Sequence, residues 1–257
     1  MLSELRFELI RTPLEQPLMR LREEVGRRVG EWKTPELREI HLEEGRIRSI
    51  LKKLVRPGVN CLDIGCHYGS TLSRLCRLAP DARHVAFEAV PEKAHFLRRK
   101  FTEVDVREVA LGDLSGTVDF FLNRRASGFS GLAKHGSGTF DVIRVQRATL
   151  DDSVPQDRRF GFVKIDVEGA ELMVFRGATR FLARDRPAIL FECGPSGSRA
   201  FGHEPSEVYE FLASRSYSIY FLVDALNDGP PVTQQTFNEA LIYPFRAFNW
   251  IALPLQA

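Results

Sequence analysis

After Gly58, the hydrophobic and polar positions alternate between short apolar runs and longer stretches with helical periodicity. The runs predict strands at 60–64, 83–87, 104–110, 162–165, 188–192, 217–223 and 249–253. The stretches between them predict helices at 70–78, 91–101, 170–182 and 205–214. Strands that alternate with helices at this spacing favour an α/β fold, with a parallel, doubly wound sheet and helices on both faces.

Residues 1–56 carry a different pattern, rich in Arg, Glu and Leu and without a convincing strand. From Pro35 onward the apolar positions fall mostly on one helical stripe, and Pro57-Gly58 ends that helix. We therefore divide the chain into an N-terminal helical extension, 1–56, and an α/β domain, 57–257. The extension is interpreted either as a lid or homodimerisation arm over the active site, or as a solvated extension that covers one sheet edge.

An insert between Thr117 and Val145 interrupts the alternation of strands and helices. Its two apolar stretches, 118–122 and 142–145, flank a loop rich in Gly and Ser. We expect this insert to extend the sheet or to cap the site.

Composition narrows the classes of partner. The 257 residues are 44% hydrophobic, enough for one large core or for one core with an appendage. With 36 basic and 34 acidic residues the net charge is +2, too balanced to favour nucleic acid or a membrane surface as the main partner, so a small-molecule or saccharide substrate is expected. The four cysteines form no CxxC pair, which predicts a reducing, cytoplasmic setting. Neither a signal segment nor an apolar run of ~20 residues is found, so no membrane span is expected.

A glycine-bearing loop, Asp63-Ile64-Gly65-Cys66-His67-Tyr68-Gly69, follows the first core strand and precedes a helix. Its glycines let the backbone turn tightly and approach a ligand closely. The dinucleotide fingerprint GxGxxG is absent, and the acid before the first glycine would repel a diphosphate but attract a cation. S-adenosylmethionine carries an ammonium and a sulfonium, so Asp63, Gly65, His67 and Gly69 are predicted to hold that cofactor. A plain structural turn is the alternative.

Two further segments extend this cofactor site. Glu88 ends the second predicted strand, where a carboxylate can accept hydrogen bonds from both hydroxyls of a ribose. Ala110 and Leu111 close the third strand in Ala110-Leu111-Gly112-Asp113, and we expect them to contact the adenine. A surface turn explains that last segment equally well.

The run Lys164-Ile165-Asp166-Val167-Glu168-Gly169-Ala170-Glu171 places acids where a buried strand passes into a helix, the edge at which open α/β sheets bind ligands. Asp166 emerges at the end of this strand and Glu192 at the end of the next, so both are expected in one crevice. Lys164 shares a strand face with Asp166 and is predicted to pair with an acid or to steady a substrate hydroxyl. Glu171 is expected on the exposed face of the helix.

Taken in order with Thr149-Leu150-Asp151-Asp152, these segments resemble the FkbM family of methyltransferases over about residues 58–195. The resemblance implies a seven-stranded Rossmann-like sheet, S-adenosylmethionine as cofactor, and O-methylation of a sugar, glycan, glycolipid or glycosylated natural product. The chain departs from the family pattern at Cys66-His67, where Ala-Asn is usual, and at Ala89, where Pro is usual. The segment 127–132 matches a Ser-rich element of the family imperfectly.

A hydroxyl acceptor needs a general base or a metal that lowers its pKa. Asp166 and Glu192 are the first candidates for the base. His203, in a Gly/Pro-rich loop, is another, although a lone loop histidine is more often solvated. Asp166 and Glu192, joined by Glu168, also form a candidate oxygen-ligand set for magnesium, and a mechanism with a base alone stays open beside it.

Two other functional classes stay open. A nicotinamide-dependent oxidoreductase would use the same fold class, but it is disfavoured because GxGxxG and a Tyr-x-x-x-Lys pair are missing. A catalytically silent cofactor-binding subunit would keep the fold as a scaffold. The retention of Asp63, Gly65, Glu88 and Asp166 together argues against that second class.

Overall fold

The computed structural model describes residues 7–123, 130–134 and 139–255. Its strands, in chain order, are β1 (Cys61–Ile64), β2 (Val85–Phe87), β3 (Asp105–Arg107), β4 (Ala110–Leu111), β5 (Gly116–Asn123), β6 (Phe140–Ala148), β7 (Phe162–Ile165), β8 (Ala188–Glu192), β9 (Tyr217–Phe221) and β10 (Asn249–Pro254).

The helices of the same ranges are α1 (Glu15–Lys33), α2 (Arg38–His41), α3 (Glu43–Leu54), α4 (Ser70–Leu78), α5 (Pro91–Lys100), α6 (Leu150–Ser153), α7 (Glu171–Arg176), α8 (Thr179–Asp185), α9 (Pro195–Ala200), α10 (Pro205–Ala213), α11 (Leu222–Leu226) and α12 (Gln234–Ala240). A single 3-10 turn at Pro35–Leu37 joins α1 to α2. Within these ranges, no helix is long and apolar enough to span a bilayer.

Seven strands form the main sheet in the order β3-β2-β1-β7-β8-β10-β9. The predicted α/β class with a seven-stranded Rossmann-like sheet is confirmed. The prediction that the sheet is parallel is wrong for β10, which runs antiparallel to both β8 and β9. Strand direction is not encoded in an apolar run, because the run indicates that both faces of the strand are buried but not which way the chain enters the sheet.

Alternate residues of the central strands face opposite layers, as the two-residue period of a strand requires. Leu62 and Ile64 of β1 face the layer formed by α7, α8, α10 and α12. Cys61 and its β7 partner Phe162 face the layer that includes α3, α4 and α11. Both sides of the sheet are therefore buried, which explains why its central strands are mostly apolar, with Asp63 of β1 and Lys164 of β7 as exceptions.

The two strands of the insert, β5 and β6, form a separate three-stranded sheet with β4, in the order β4-β6-β5. It does not extend the main sheet. Phe120, which lies on β5, packs instead against Ala89 and Val90, just beyond the end of β2. Of the two expectations for this segment, the cap over the site is the one the fold supports.

Other departures occur at element ends. The predicted helix 170–182 is divided at Gly177 into α7 and α8, and the missing Cβ at Gly177 leaves room for the carbonyl oxygen of Gly112. The predicted strand 217–223 ends at Phe221, where α11 begins at once. The short helices α9, α11 and α12 were not predicted, since one or two turns carry too little periodicity to be recognised.

The described part of the extension is bound to the α/β domain by buried acids. Glu15, 2% exposed, accepts hydrogen bonds from Ser73 Oγ at 2.8 Å and Arg77 Nη1 at 2.7 Å, both on α4. Glu43 Oε1 accepts from the backbone amides of Phe248 at 2.8 Å and Asn249 at 3.0 Å. These contacts hold α1 to the helix that follows the cofactor loop, and α3 to the start of β10.

We expect Glu43→Ala to lower the free energy of unfolding by about 2–4 kcal/mol, because it leaves two backbone amides without their acceptor in a partly buried place. Glu39→Ala is the matched control: its ion pair with Arg46 is 43% exposed on the acid side and should contribute less than about 1 kcal/mol. Urea denaturation measures both variants. Equal losses would show that Glu43 is not an anchor.

Candidate cofactor and active site

A cavity of about 300 Å³ opens at the carboxyl ends of β1, β2 and β7, beneath the insert. Its size suits a cofactor rather than a single small ion. Its lining comes from the loop after β1, the end of β2, the insert and the turn after β7. The described residues that line it are Ile64, Gly65, Cys66, His67, Ser70, Thr71, Phe87, Glu88, Ala89, Lys93, Val109, Ala110, Leu111, Phe120, Ser130, Gly131, Leu132, Lys164, Asp166, Val167, Glu168 and Ala170.

Gly65 and Gly69 have different structural reasons for being glycine. Gly65 has φ 75°, and a Cβ atom there would overlap the carbonyl oxygen of Asp166. Gly69 caps α4 with φ 83°, and its Cβ would come within 2.7–2.9 Å of the Phe101 and Leu97 side chains. Gly65 therefore lets two turns approach at the cavity, whereas Gly69, which does not line it, lets α4 pack on α5.

Glu88 is 5% exposed and lines the cavity at the end of β2. Its Oε2 accepts from the His67 amide at 2.8 Å and its Oε1 from the Val90 amide at 2.9 Å. Burial raises its pKa, while Lys93 and these two amides favour the ionised form. Each carboxylate oxygen keeps a second lone pair, so Glu88 can still accept hydrogen bonds from a ligand in the cavity.

Lys164 joins the turns after β1 and β7. Its Nζ donates to Asp166 Oδ2 at 2.9 Å and to the Gly65 carbonyl at 3.4 Å, and lies 3.9 Å from Asp63 Oδ1. Burial disfavours the ammonium, but the Asp166 and Asp63 carboxylates raise the pKa of Lys164 above its usual range. The prediction that Lys164 shares a face with Asp166 and pairs with an acid is confirmed.

Asp63 is fully buried and lies behind the cavity lining rather than in it. The Leu72 amide and the Lys164 ammonium favour its ionised form, yet neither makes a well-formed hydrogen bond with it. Burial raises the pKa of Asp63 to about 6. Asp63 therefore places its charge behind the loop and does not line the cavity.

The turn after β7 is held by hydrogen bonds to the buried side chain of Glu171. Glu171 Oε1 accepts from the amides of Val167 at 3.0 Å and Gly169 at 3.2 Å. The prediction that Glu171 is exposed is wrong, since it is 1% exposed. Burial raises its pKa to about 7. A carboxylate at the start of α7 is used to satisfy the amides of the preceding turn, as in N-terminal capping, and helical periodicity does not reveal that use.

Glu168 is placed by this turn among the cavity-lining residues. Its φ of 57° is left-handed, an uncommon conformation for a residue with a side chain. Burial, followed by repulsion from Asp166 and Glu171, raises the pKa of Glu168 to about 8. Strained backbone and a pKa near neutrality are both typical of functional sites.

His203 and Glu192 lie outside the described lining of the cavity. His203 is 7% exposed rather than solvated, and its ring nitrogens face two carbonyl oxygens, that of Gly169 at 3.2 Å and that of Glu204 at 3.3 Å. It thus supports the turn that carries Glu168. Glu192 ends β8 beside β7 as predicted, and burial with the nearby Asp166 charge raises its pKa well above the usual range.

The structure gives no support to the predicted magnesium site. Across the described ranges, no three histidine, cysteine, aspartate or glutamate side chains are close enough together to hold a metal ion. The Asp166 carboxylate is held by Lys164 instead, and Glu192 lies outside the described lining of the cavity. A strand-end pattern of acids does not distinguish metal ligands from ion-pair partners.

The sequence prediction missed Lys93, which is 6% exposed and lines the cavity from α5. Burial lowers its pKa, and the Glu88 carboxylate opposes that shift. Its position in the first turns of a helix that follows an acid at a strand end was the available signal. The predicted residues Ala110 and Leu111 line the cavity beside β6, and Ser130–Leu132 do so from the insert, whereas residues 127–129 of the predicted Ser-rich element lie outside the described residues.

The sheet order and the cavity at its carboxyl edge define an α/β protein with a seven-stranded Rossmann-like sheet and a ligand cavity. Residues 63–219 match the Methyltransferase FkbM domain, which is more than half of the chain. The chain therefore belongs to the FkbM methyltransferase family.

Individual proteins share more distant similarity. The crystal structure of methyltransferase FkbM from Methylobacillus flagellatus KT is 16% identical, with a TM-score of 0.48 over 85% of this chain and 52% of that one. The O-methyltransferase from Bacillus cereus in complex with SAH is 15% identical, with a TM-score of 0.47 over 91% and 97%. A probable Xaa-Pro aminopeptidase from Talaromyces stipitatus is 30% identical over 136 residues, which are 53% of this chain but only 22% of that protein.

We expect Gly65→Ala to lower the free energy of unfolding by about 3 kcal/mol or more, because the new methyl group would collide with backbone and not with a movable side chain. Gly58→Ala is the matched control. Gly58 has φ 83°, but no atom lies within 4 Å of the position of a Cβ. Gly58→Ala should therefore lower the free energy of unfolding only by the cost of a left-handed backbone, about 1 kcal/mol. Thermal denaturation compares them, and similar losses would contradict the close approach at Gly65.

Proposed function

We propose that this protein is an S-adenosylmethionine-dependent O-methyltransferase that acts on a hydroxyl group of a sugar, glycan, glycolipid or glycosylated natural product. The observation that carries the proposal is the charge of the cavity. The acids Asp63, Glu88 and Asp166 line or back it, against the two lysines Lys93 and Lys164, and Glu168 adds a further negative charge once it ionises. Such a site favours a cationic ligand over a diphosphate.

The residues fit the proposed cofactor. Glu88 would accept from the two hydroxyls of the ribose, since its carboxylate lines the cavity and its backbone-held oxygens retain free lone pairs. Ala110 and Leu111 offer an apolar wall for the adenine. Gly65 allows close approach of the loop, and the buried Asp63 charge behind that loop would favour the ammonium and sulfonium. When bound, S-adenosylmethionine supplies an already activated methyl group.

The chain's own work is then to orient an acceptor hydroxyl and take up its proton. We assign the proton to Glu168, whose carboxyl lines the cavity and has a pKa of about 8. Asp166, whose Oδ2 is held by Lys164 at 2.9 Å, would accept a hydrogen bond from the acceptor and position it. Glu192 and His203 would act as supports behind this pair rather than as the base.

We expect Glu88→Gln to weaken binding of S-adenosylmethionine at least about tenfold, because an amide carries one acceptor oxygen where the carboxylate has two charged ones. Glu92→Gln makes the same change at an exposed position of α5 and should leave binding unaltered. Calorimetric titration measures both. NAD is titrated in parallel: binding of NAD without binding of S-adenosylmethionine would favour the oxidoreductase alternative and overturn the proposal.

The pH dependence of turnover tests Glu168. Its carboxyl is protonated below pH about 8 and cannot accept a proton there, so kcat/KM for the donor should rise with pH and level off above about 8. The bound cationic donor favours the Glu168 carboxylate and so lowers its pKa. The rise in kcat should therefore occur at a lower pH than the rise in kcat/KM. Glu168→Gln should lower kcat about a hundredfold or more and remove this rise. The exposed Glu108→Gln is the control, and an unchanged profile in Glu168→Gln would assign the proton elsewhere.

A further inference from the structure

The exposed side of α1 carries a continuous apolar stripe. Its members recur every three or four residues along the helix and are 42–81% exposed. They are Leu14, just before the helix, and Leu18, Leu21, Val25, Val29 and Trp32. A helix that packs on its own domain by one face normally leaves a polar face to water, so a second apolar face marks a binding surface.

The charges beside this stripe are basic. Arg22, Arg28 and Lys33 are exposed and lie within three or four residues of members of the stripe, on the helical neighbours of the apolar face. Arg28 pairs with Glu24 at 2.7 Å, whereas Arg22 and Lys33 form no ion pair within the described ranges. The surface is therefore apolar along its centre and positively charged along its edges.

The acids of α1, by contrast, are occupied. Glu15 pairs with Arg77 at 2.7 Å, and Glu23 pairs with Arg74 at 2.8 Å, on the side that packs against the domain. Glu24 and Glu31 each pair with Arg27 at 2.8 Å. These acids of the helix are neutralised within the fold, whereas the positive charges of Arg22 and Lys33 beside the apolar stripe are not.

From this pairing of an apolar stripe with basic edges, we infer that α1 docks this protein on an anionic lipid surface. An apolar face enters the boundary between head groups and acyl chains, and basic edges bind anionic head groups. Trp32, the most exposed large residue of the stripe, has the side chain that favours this boundary. The helix lies on the bilayer and does not cross it.

A second copy of the chain would fit the same surface less well. A two-fold contact through the stripe would bring the basic edges of both helices together, and like charges across an interface are unfavourable. Nucleic acid would meet the basic edges but offers no apolar partner for the stripe. An anionic bilayer matches both parts of the surface.

The surface also adjoins the candidate active site. Leu18 and Arg22 line a small cleft of about 90 Å³ together with Ser70, and Ser70 also lines the cofactor cavity. Docking of α1 would therefore bring one edge of the cavity close to the lipid surface. This inference rests on α1 alone and holds whether or not the proposed methyl transfer does.

Binding to vesicles tests the inference. We expect the protein to co-sediment with vesicles of phosphatidylcholine and phosphatidylglycerol in equal parts, and only weakly with phosphatidylcholine alone. Raising NaCl from about 50 mM to about 500 mM should release it, because salt screens the head-group charge. Absence of binding to the anionic vesicles, or equal binding to both kinds, would overturn the proposal.

Variants separate the two parts of the surface. Leu21→Glu combined with Val25→Glu should weaken binding about tenfold or more, because two apolar side chains of the stripe are replaced by carboxylates. Arg22→Gln with Lys33→Gln should weaken it about 25-fold, about fivefold for each charge. Leu114→Glu alters a residue that is 61% exposed between β4 and β5, outside α1, and should leave binding unchanged. Equal binding by Leu21→Glu/Val25→Glu and wild type would contradict the inference.

Two further readouts identify the occupant. The chain has 2 tryptophans and Trp250 is fully buried, so a blue shift of emission on adding vesicles reports Trp32. Light scattering without lipid reports self-association: a dimer that Leu21→Glu/Val25→Glu abolishes would assign the surface to a second copy and overturn lipid docking. Calorimetric donor titration of the same variants should be unchanged, which separates this result from a failure of the proposed cofactor site.

Discussion

The site depends on the contacts that the Lys164 ammonium makes with the turns after β1 and β7. The ammonium reaches Asp166 Oδ2 at 2.9 Å, the Gly65 carbonyl at 3.4 Å and Asp63 Oδ1 at 3.9 Å, so a single positive charge joins the turn after β1 to the turn after β7. Removing one partner from such a buried set leaves an uncompensated charge, which is far costlier than the net value of the pair. The lysine can make these contacts because Gly65 carries no Cβ and lets the two backbones meet.

Several carboxyl groups are buried close to one another around Lys164, where their negative charges are unfavourable. Burial raises the pKa of Asp63 to about 6, of Glu171 to about 7 and of Glu168 to about 8. An ordinary surface would separate and solvate these acids. Here they are held beside one cavity by backbone amides, by Lys164 and by Lys93. A cationic donor would relieve the repulsion, which ties the proposed cofactor to the same electrostatics that govern the fold of the site.

The N-terminal extension connects this site to the outer surface. On its inner side, buried acids bind it to the rest of the protein, Glu15 to α4 and Glu43 to the start of β10. On its outer side, the apolar stripe of α1 with its basic edges is exposed. One element therefore supports the helix of the cofactor loop and presents the surface that we assign to lipid. The sequence expectation of a lid or dimerisation arm stays a separate prediction.

Local pattern alone determined the strands and helices next to the cavity and the acids at their ends: Asp63, Glu88, Asp166 and Glu192 occupy strands or strand ends because apolar runs of this length become buried parallel strands. Only the tertiary structure decided what those acids do. It buried Glu171 to hold a turn, placed His203 against two carbonyl oxygens, set Lys93 in the cavity and turned β10 antiparallel. The physical reason is that periodicity reports which face of an element is apolar, whereas partners, strand direction and pKa depend on elements distant in the chain.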